Sequence, residues 1–432
     1  MPDASSLPVV RGPARRIASV LGVLTLAVVL GEAARAANDA AEAAAATTAY
    51  HGGLWYDGER FVPRPAYVRD GMFVEPPDAP GATVDLEGGF VLPAFAEGHH
   101  HTVLCEPGRI KSFIDAGVLY AAIMNARVSS RACQAKMHGA DGIEVVSALA
   151  GLTATDAHPA QIGRYFLDAD EIDGEWVHYV DAARDLDRVW PRIAAQPPDL
   201  VKIYLSYSED HARLRDDESI AAWYRGLDPA LVPAIVRRAR TMDLRVAAHV
   251  MSAQDFEVAV DGGVDIVAHL PGFAPGAAFT DEPDHPYLAA LSDDPARYRI
   301  TPAAARRAAA RGVVVVTTVS GAPPAPAIAA NLRALREAHV TLLIGSDRGE
   351  FHSVDEAVFL VEQGLMPAAE VVRALSVTTP RFLFPDRAVG RLDAGAEATF
   401  VVLRGDPLVA IANLRDPRRV VKRGVTLAGD IR

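Results

Sequence analysis

Residues 244–270 read LRVAAHVMSAQDFEVAVDGGVDIVAHL. Both ends of this stretch are short apolar runs, 244–250 and 264–270, and a longer segment of helical texture lies between them. Near-continuous apolar strands separated by helices are the pattern of a parallel sheet covered on both faces. Each run also places a histidine just before its end, His249 in one and His269 in the other.

The same rhythm extends outward in both directions. It predicts strands at 89–96, 118–124, 143–149, 200–205, 312–319 and 341–346, besides the two above. Helical segments such as 222–241 and 300–312 separate them. Eight such strands in succession fit a closed (β/α)8 barrel better than an open doubly wound sheet, because no switch point is visible. No G-x-G-x-x-G or P-loop sequence opens any of the helices.

The flanks have another texture. Residues 50–92 carry short alternating runs with hairpin signals at Asp57-Gly58 and Asp70-Gly71. ATFVVLRGDP and RRVVKRGVTLAG near the other end look alike. One small β-sandwich built from 50–92 and 386–432, flanking a barrel at 93–385, is the expected organisation. A chain of 432 residues suits one large unit with a smaller companion.

The N-terminus reads as a processed segment. Arg11, Arg15 and Arg16 precede an apolar run at 17–30, and Ala34-Arg35-Ala36 follows. That order predicts a signal peptide over 1–36, an Ala-rich tether over 37–49 and an exported protein, periplasmic or secreted. The run is short for a bilayer span, so no stable membrane insertion is expected after cleavage. A net charge of −12 argues against a nucleic-acid partner. Neither Cys105 nor Cys133 has a CxxC or CxxH neighbour, which removes a cysteine metal site. A bridge between them and two buried thiols both fit.

Functional residues of a barrel come from the C-terminal ends of its strands. Read in order, those ends supply His99-His100-His101, Lys202 in LVKIY, His249 in VAAHV, His269 in IVAHL and Asp347 in IGSDRG. His99 and His101 stand two apart on an extended segment, so both face one side and can reach one cation. His100 faces the other way. Asp347 adds oxygen to that cation and can accept a proton. His249 and His269 suit a second cation, since imidazole favours zinc and its neighbours. Lys202, between Val201 and Ile203, is costly in a buried strand unless paired or neutralised. A salt bridge would satisfy it. So would conversion to N6-carboxylysine, an anion able to bridge two metals.

With these residues in view, the chain resembles the amidohydrolase superfamily, in its binuclear-metal, imidazolonepropionase-like and prolidase-like branch. VLPAFAEGHHH, LVKIY, VAAHV, DIVAHL and IGSDRG match its strand ends in order, and the tail from ALSVTTPRFLFP onward is similar to its return to the sandwich. The resemblance implies two divalent ions, zinc by default: one held by His99, His101 and Asp347, the other by His249 and His269, with carboxylated Lys202 between. Glu97 and Thr399 stand where that family has aspartates, which puts supporting contacts rather than ligands in question.

The expected activity is C–N bond hydrolysis on a cyclic amide or dipeptide-like small molecule. A hydroxide shared by the metals attacks, and Asp347 serves as general base and then acid. The same set would serve an esterase, lactonase or phosphotriesterase. An inactive binding protein on this barrel would show missing ligands, and none is missing. Tyr204, His158 and Arg348 are the candidate substrate contacts, whereas Tyr207 reads as loop packing. His138, His178, His211, His285 and His339 read as ordinary surface residues. Self-association is left open.

Overall fold

The computed structural model describes residues 47–101, 107–139, 141–217, 222–272, 295–320, 326–349 and 351–429. The signal-peptide reading, the tether up to residue 46, Cys105 and His285 lie outside them. No helix among the described residues is long and apolar enough to cross a membrane. The end of the expected tether is instead structured, because Thr48–His51 forms a strand between Ala66–Arg69 and Ala82–Asp85. Its backbone donors are taken up by neighbours on both sides.

Both chain ends meet in one six-stranded sheet. Its order is Val425–Gly429, Pro417–Lys422, Phe400–Leu403, Phe90–Pro93, Leu54–Tyr56 and Phe61–Pro63. A four-stranded sheet of N-terminal strands accompanies it. Asp70 and Gly71, at φ 52° and 77°, form the tight turn joining Ala66–Arg69 to Met72–Val74. Two consecutive left-handed residues match the twist of a two-residue hairpin, which Asp-Gly supplies at low cost. Trp55 and Phe400 of the six-stranded sheet pack edge-on or tilted against Phe73 of the four-stranded one.

Two parallel sheets make up the middle of the chain. Seven strands run in the order Val177–Tyr179, Gly151–Thr153, Leu200–Tyr204, Arg245–His249, Ile266–Val267, Val314–Val316 and Leu342–Leu343. Three more run Glu144–Ser147, Val118–Ile123 and Phe95–His100. Their strand ladders do not join into a ring. Single hydrogen bonds cross the gap, from Gly98 N–H to the Ile344 carbonyl at 2.7 Å and from Asp347 N–H to the His99 carbonyl at 2.9 Å.

Three departures from expectation stand out, the first being Val177–Tyr179, a strand outside the eight expected runs. The run at 89–96 is divided, since Phe90–Pro93 pairs with Phe400–Leu403 while Phe95–His100 pairs with Val118–Ile123. One apolar run thus serves two sheets, and composition does not mark the change of partner. His99 and His100 consequently lie within the strand, not after it. The expected 143–149 strand stops at Ser147 and resumes at Gly151, with Leu149 between them at φ 51°. Its first half pairs with Val118–Ile123 and its second with Leu200–Tyr204.

A buried ion network couples the parallel sheets to the C-terminal strands. Glu144 meets Lys422 Nζ at 2.8 Å and Arg387 Nη1 at 2.8 Å, and Arg387 also holds Glu397 at 2.7 Å. Lys422 further donates to the carbonyls of Gly139 and Gly142. Cys133 is disulfide-bonded, and the chain's other cysteine is Cys105.

Candidate metal centre

Strand ends bring His99, His101, Lys202, His249, His269 and Asp347 to one place. Asp347 is the hub. Its Oδ1 lies 3.1 Å from His99 Nε2 and 2.9 Å from His101 Nε2, and its Oδ2 lies 3.2 Å from His269 Nδ1. His99 and His101 present their Nε2 atoms 3.0 Å apart. Among the described residues, His99, His101 and Asp347 alone form a group with the spacing of a metal site. The rings of His249 and His269 are 4.7 Å apart, and those of His99 and His269 4.5 Å.

Orientation is fixed from behind. His99 Nδ1–H donates to the Ala268 carbonyl at 2.8 Å, which leaves the Nε2 lone pair facing the cluster. His269 Nδ1, the atom that faces Asp347, also lies 3.2 Å from Thr318 Oγ1. Three buried carboxylates tie the ligand-bearing loops together. Glu97 Oε1 accepts from the N–H groups of His99 at 2.9 Å and Ser346 at 2.8 Å, joining the first and last strands. Asp255 caps helix Ala253–Gly262 and accepts from Tyr207, Ser208, Met251 and Ser252 N–H, joining the loops after Lys202 and His249. Glu356 accepts from Val319 and Ser320 N–H, next to Thr318.

Electrostatics prepares this set for a cation. Burial pushes His99 down to about 4 against the pull of Asp347, and burial likewise holds His249 and His269 well below the ordinary imidazole range. These three rings are therefore neutral near pH 7, the form that ligates. Burial alone would raise Asp347, but His99, His269 and His101 reverse that and keep it well below the usual carboxylate range. Lys202 is wholly buried, and burial lowers it to about 7 against Asp347. Its Nζ and His249 Nε2 have no hydrogen-bond partner among the described residues. A buried polar atom without a partner is expensive. Two of them beside a carboxylate already shared by three imidazoles fit a site built for positive ions.

The expected substrate contacts divide. His158 and Tyr204 both face the cluster, with ring centroids 5.3 Å apart and His158 4.6 Å from His249. The Tyr204 hydroxyl has no hydrogen-bond partner among the described residues, and Gln161 Nε2 lies 3.0 Å from His158 Nδ1. Burial, aided by His101 and Lys202, lowers His158 to about 3. Arg348, next to Asp347 in the chain, is half-buried. Tyr207 stacks on Tyr224 in its loop, as expected of a packing residue. His100 turns away onto Phe113 at 5.2 Å.

One histidine was misplaced by the sequence reading. His178 lies in the strand Val177–Tyr179 and is only 4% exposed, so it is no surface residue. The run WVHYV at 176–180 is too short to show a period that would reveal it. Asp255, Glu97 and Glu356 are the supports that escaped or were only partly anticipated. Glu97 was visible as a departure next to H-x-H; the other two sit in helices, where an acid reads as ordinary surface.

No family model matches the chain, and no curated protein matches it in sequence. Solved structures do match. An amidohydrolase is similar over 89% of this chain and 100% of its own, at 18% identity and a TM-score of 0.66. A Xaa-Pro dipeptidase with bound methionine in the active site has the same coverages at 17% identity and 0.66. Phenylurea hydrolase B covers 88% of this chain and 96% of its own, at 16% identity and 0.64. Identities this low establish the shared fold. The architecture is that of amidohydrolases and prolidases, as the strand-end motifs implied.

Proposed function

We propose that the protein is a metal-dependent hydrolase that cleaves C–N bonds of a cyclic amide or dipeptide-like substrate, on parallel strands arranged as a closed barrel. The observation that carries this reading is Asp347, held within 3.2 Å of three imidazoles beside Lys202 Nζ, which has no hydrogen-bond partner among the described residues. His99, His101 and Asp347 would hold one divalent ion and His249 and His269 a second, with Lys202, as N6-carboxylysine, between them. Zinc suits this nitrogen and oxygen set. When bound, such ions supply Lewis acidity and a water acidified toward neutral pH.

The chain's own residues then do the following. Asp347 is ionised and accepts a proton as water oxygen attacks the carbonyl carbon. It returns that proton to the nitrogen as the C–N bond breaks. His158, if Gln161 donates to its Nδ1, presents Nε2–H to the substrate, and the Tyr204 hydroxyl is a second donor. Both suit a carboxylate or carbonyl oxygen. Arg348 would act from the rim. The structural neighbours support this class, since one is a Xaa-Pro dipeptidase and another a phenylurea hydrolase.

The test is a panel of dipeptides, lactams and lactones assayed with the parent and Asp347→Asn. The proposal requires turnover of an amide by the parent and its loss, by about a hundredfold or more, in a variant that melts normally. Amide turnover that survives in Asp347→Asn would refute the assigned role.

A further inference from the structure

A cavity of about 260 Å³ lies between the strands Gly151–Thr153 and Leu200–Tyr204 and the helix Leu186–Ala195. It is separate from the candidate metal centre. Successive side chains of a strand face opposite ways, so Val201 lines the cavity while Lys202 points to the imidazoles. Val128, Leu149, Leu152 and Ile193 complete apolar walls.

Three polar side chains interrupt those walls, His178, Arg192 and the exposed Gln196. His178 is 4% exposed, and its Nδ1 has no hydrogen-bond partner among the described residues. Arg192 is half exposed and marks the open side. Arg188 and Arg192 both reach the same Asp173 Oδ2, each at 3.1 Å, so two guanidinium groups share one carboxylate and a positive charge is left over. Gly174 lines the cavity beside Arg192, at a φ of 110° that suits glycine. Apolar walls with a few convergent polar groups are the build of a small-molecule site.

We infer that this cavity binds a small carboxylate with an apolar body, its carboxylate received by His178 Nδ1–H and the Arg192 guanidinium. At the packing density of a protein interior the space takes roughly ten non-hydrogen atoms, the size of a small aromatic acid. Burial pushes His178 down to about 4, so it meets such an anion as a neutral donor, and Arg192 supplies the charge.

Benzoate is the probe, with benzyl alcohol as its uncharged counterpart, titrated calorimetrically into the full chain. The expected result is one benzoate site per chain, about tenfold or more tighter than benzyl alcohol. Arg192→Met and His178→Phe should each weaken it at least about tenfold, while Asp347→Asn leaves it unchanged. Should His178→Phe fail to fold, Arg192→Met decides alone. Absence of benzoate binding at roughly tens of millimolar overturns the assignment. So does full affinity in an Arg192→Met protein of parental melting temperature. Affinity lost in Asp347→Asn but kept in Arg192→Met would place benzoate at the imidazoles and also overturn it.

Discussion

Glu97 and Ser346 are joined twice: Ser346 N–H donates to Glu97 Oε1 at 2.8 Å, and the Ser346 hydroxyl donates to Oε2 at 2.9 Å. Because Glu97 also accepts from His99 N–H, one carboxyl group sets the spacing between the strand carrying His99 and the segment carrying Asp347. Those segments are otherwise linked by isolated backbone bonds.

Glu97→Ala should therefore loosen the His99–Asp347 pair without removing either ligand. Supporting contacts of this kind are worth about 10- to 100-fold in metal affinity. Glu97→Gln can still accept through its carbonyl oxygen and should retain most of it. Metal titration of the two variants checks this, and equal affinities in Glu97→Ala and parent would show that the strands are positioned by something else.

Tyr204 offers a sharper separation of structure from function. Its hydroxyl is buried without a partner among the described residues, so Tyr204→Phe removes an unsatisfied group and should leave the melting temperature unchanged or raised. Turnover should nonetheless suffer, mainly through a higher KM. A variant that melts like the parent and hydrolyses substrate equally well would exclude a substrate contact.

The fold was legible in the apolar runs and in the texture of the two ends. His249 and His269 could be placed because one ends and the other closely follows a strand of a β–α–β repeat, and periodicity reports strands well. What stayed hidden were relationships between distant segments. Asp255 reads as one acid in a helix, yet it collects N–H groups from residues near position 207 as well as its own cap. Glu144 sits in an apolar strand, and nothing local announces Lys422 as its partner. Likewise the shift of one run from sheet to sheet at Ala94 depends on which neighbour arrives, here Thr399, whose carbonyl accepts Ala94 N–H.

Asp255→Ala should be among the most destabilising single changes. It strips acceptors from four backbone N–H groups, at least three of them in buried surroundings. A loss of about 2–4 kcal/mol is expected from leaving such donors unmet. Denaturant unfolding measures it; a change below about 1 kcal/mol would mean that solvent replaces the carboxylate.

Acid should weaken the contact between the parallel sheets and the C-terminal strands. Burial would raise Glu144, but His138, Lys422 and Arg387 outweigh it and hold the carboxyl below its ordinary range. A depressed carboxylate contributes stability that is complete above its unfolded value and disappears as pH falls toward the folded one. The melting temperature of the parent should thus drop as pH goes below the ordinary glutamate range. Glu144→Gln should be less stable than the parent at pH 7 and less sensitive to acid. Parallel pH profiles for the two proteins would remove Glu144 from the account.

Metal content decides the central claim. The full chain, purified without chelator and reconstituted in bicarbonate with zinc, is analysed for bound metal beside Lys202→Ala. The account predicts about two ions per chain in the parent and fewer in Lys202→Ala. A parent that stays metal-free after reconstitution would contradict it.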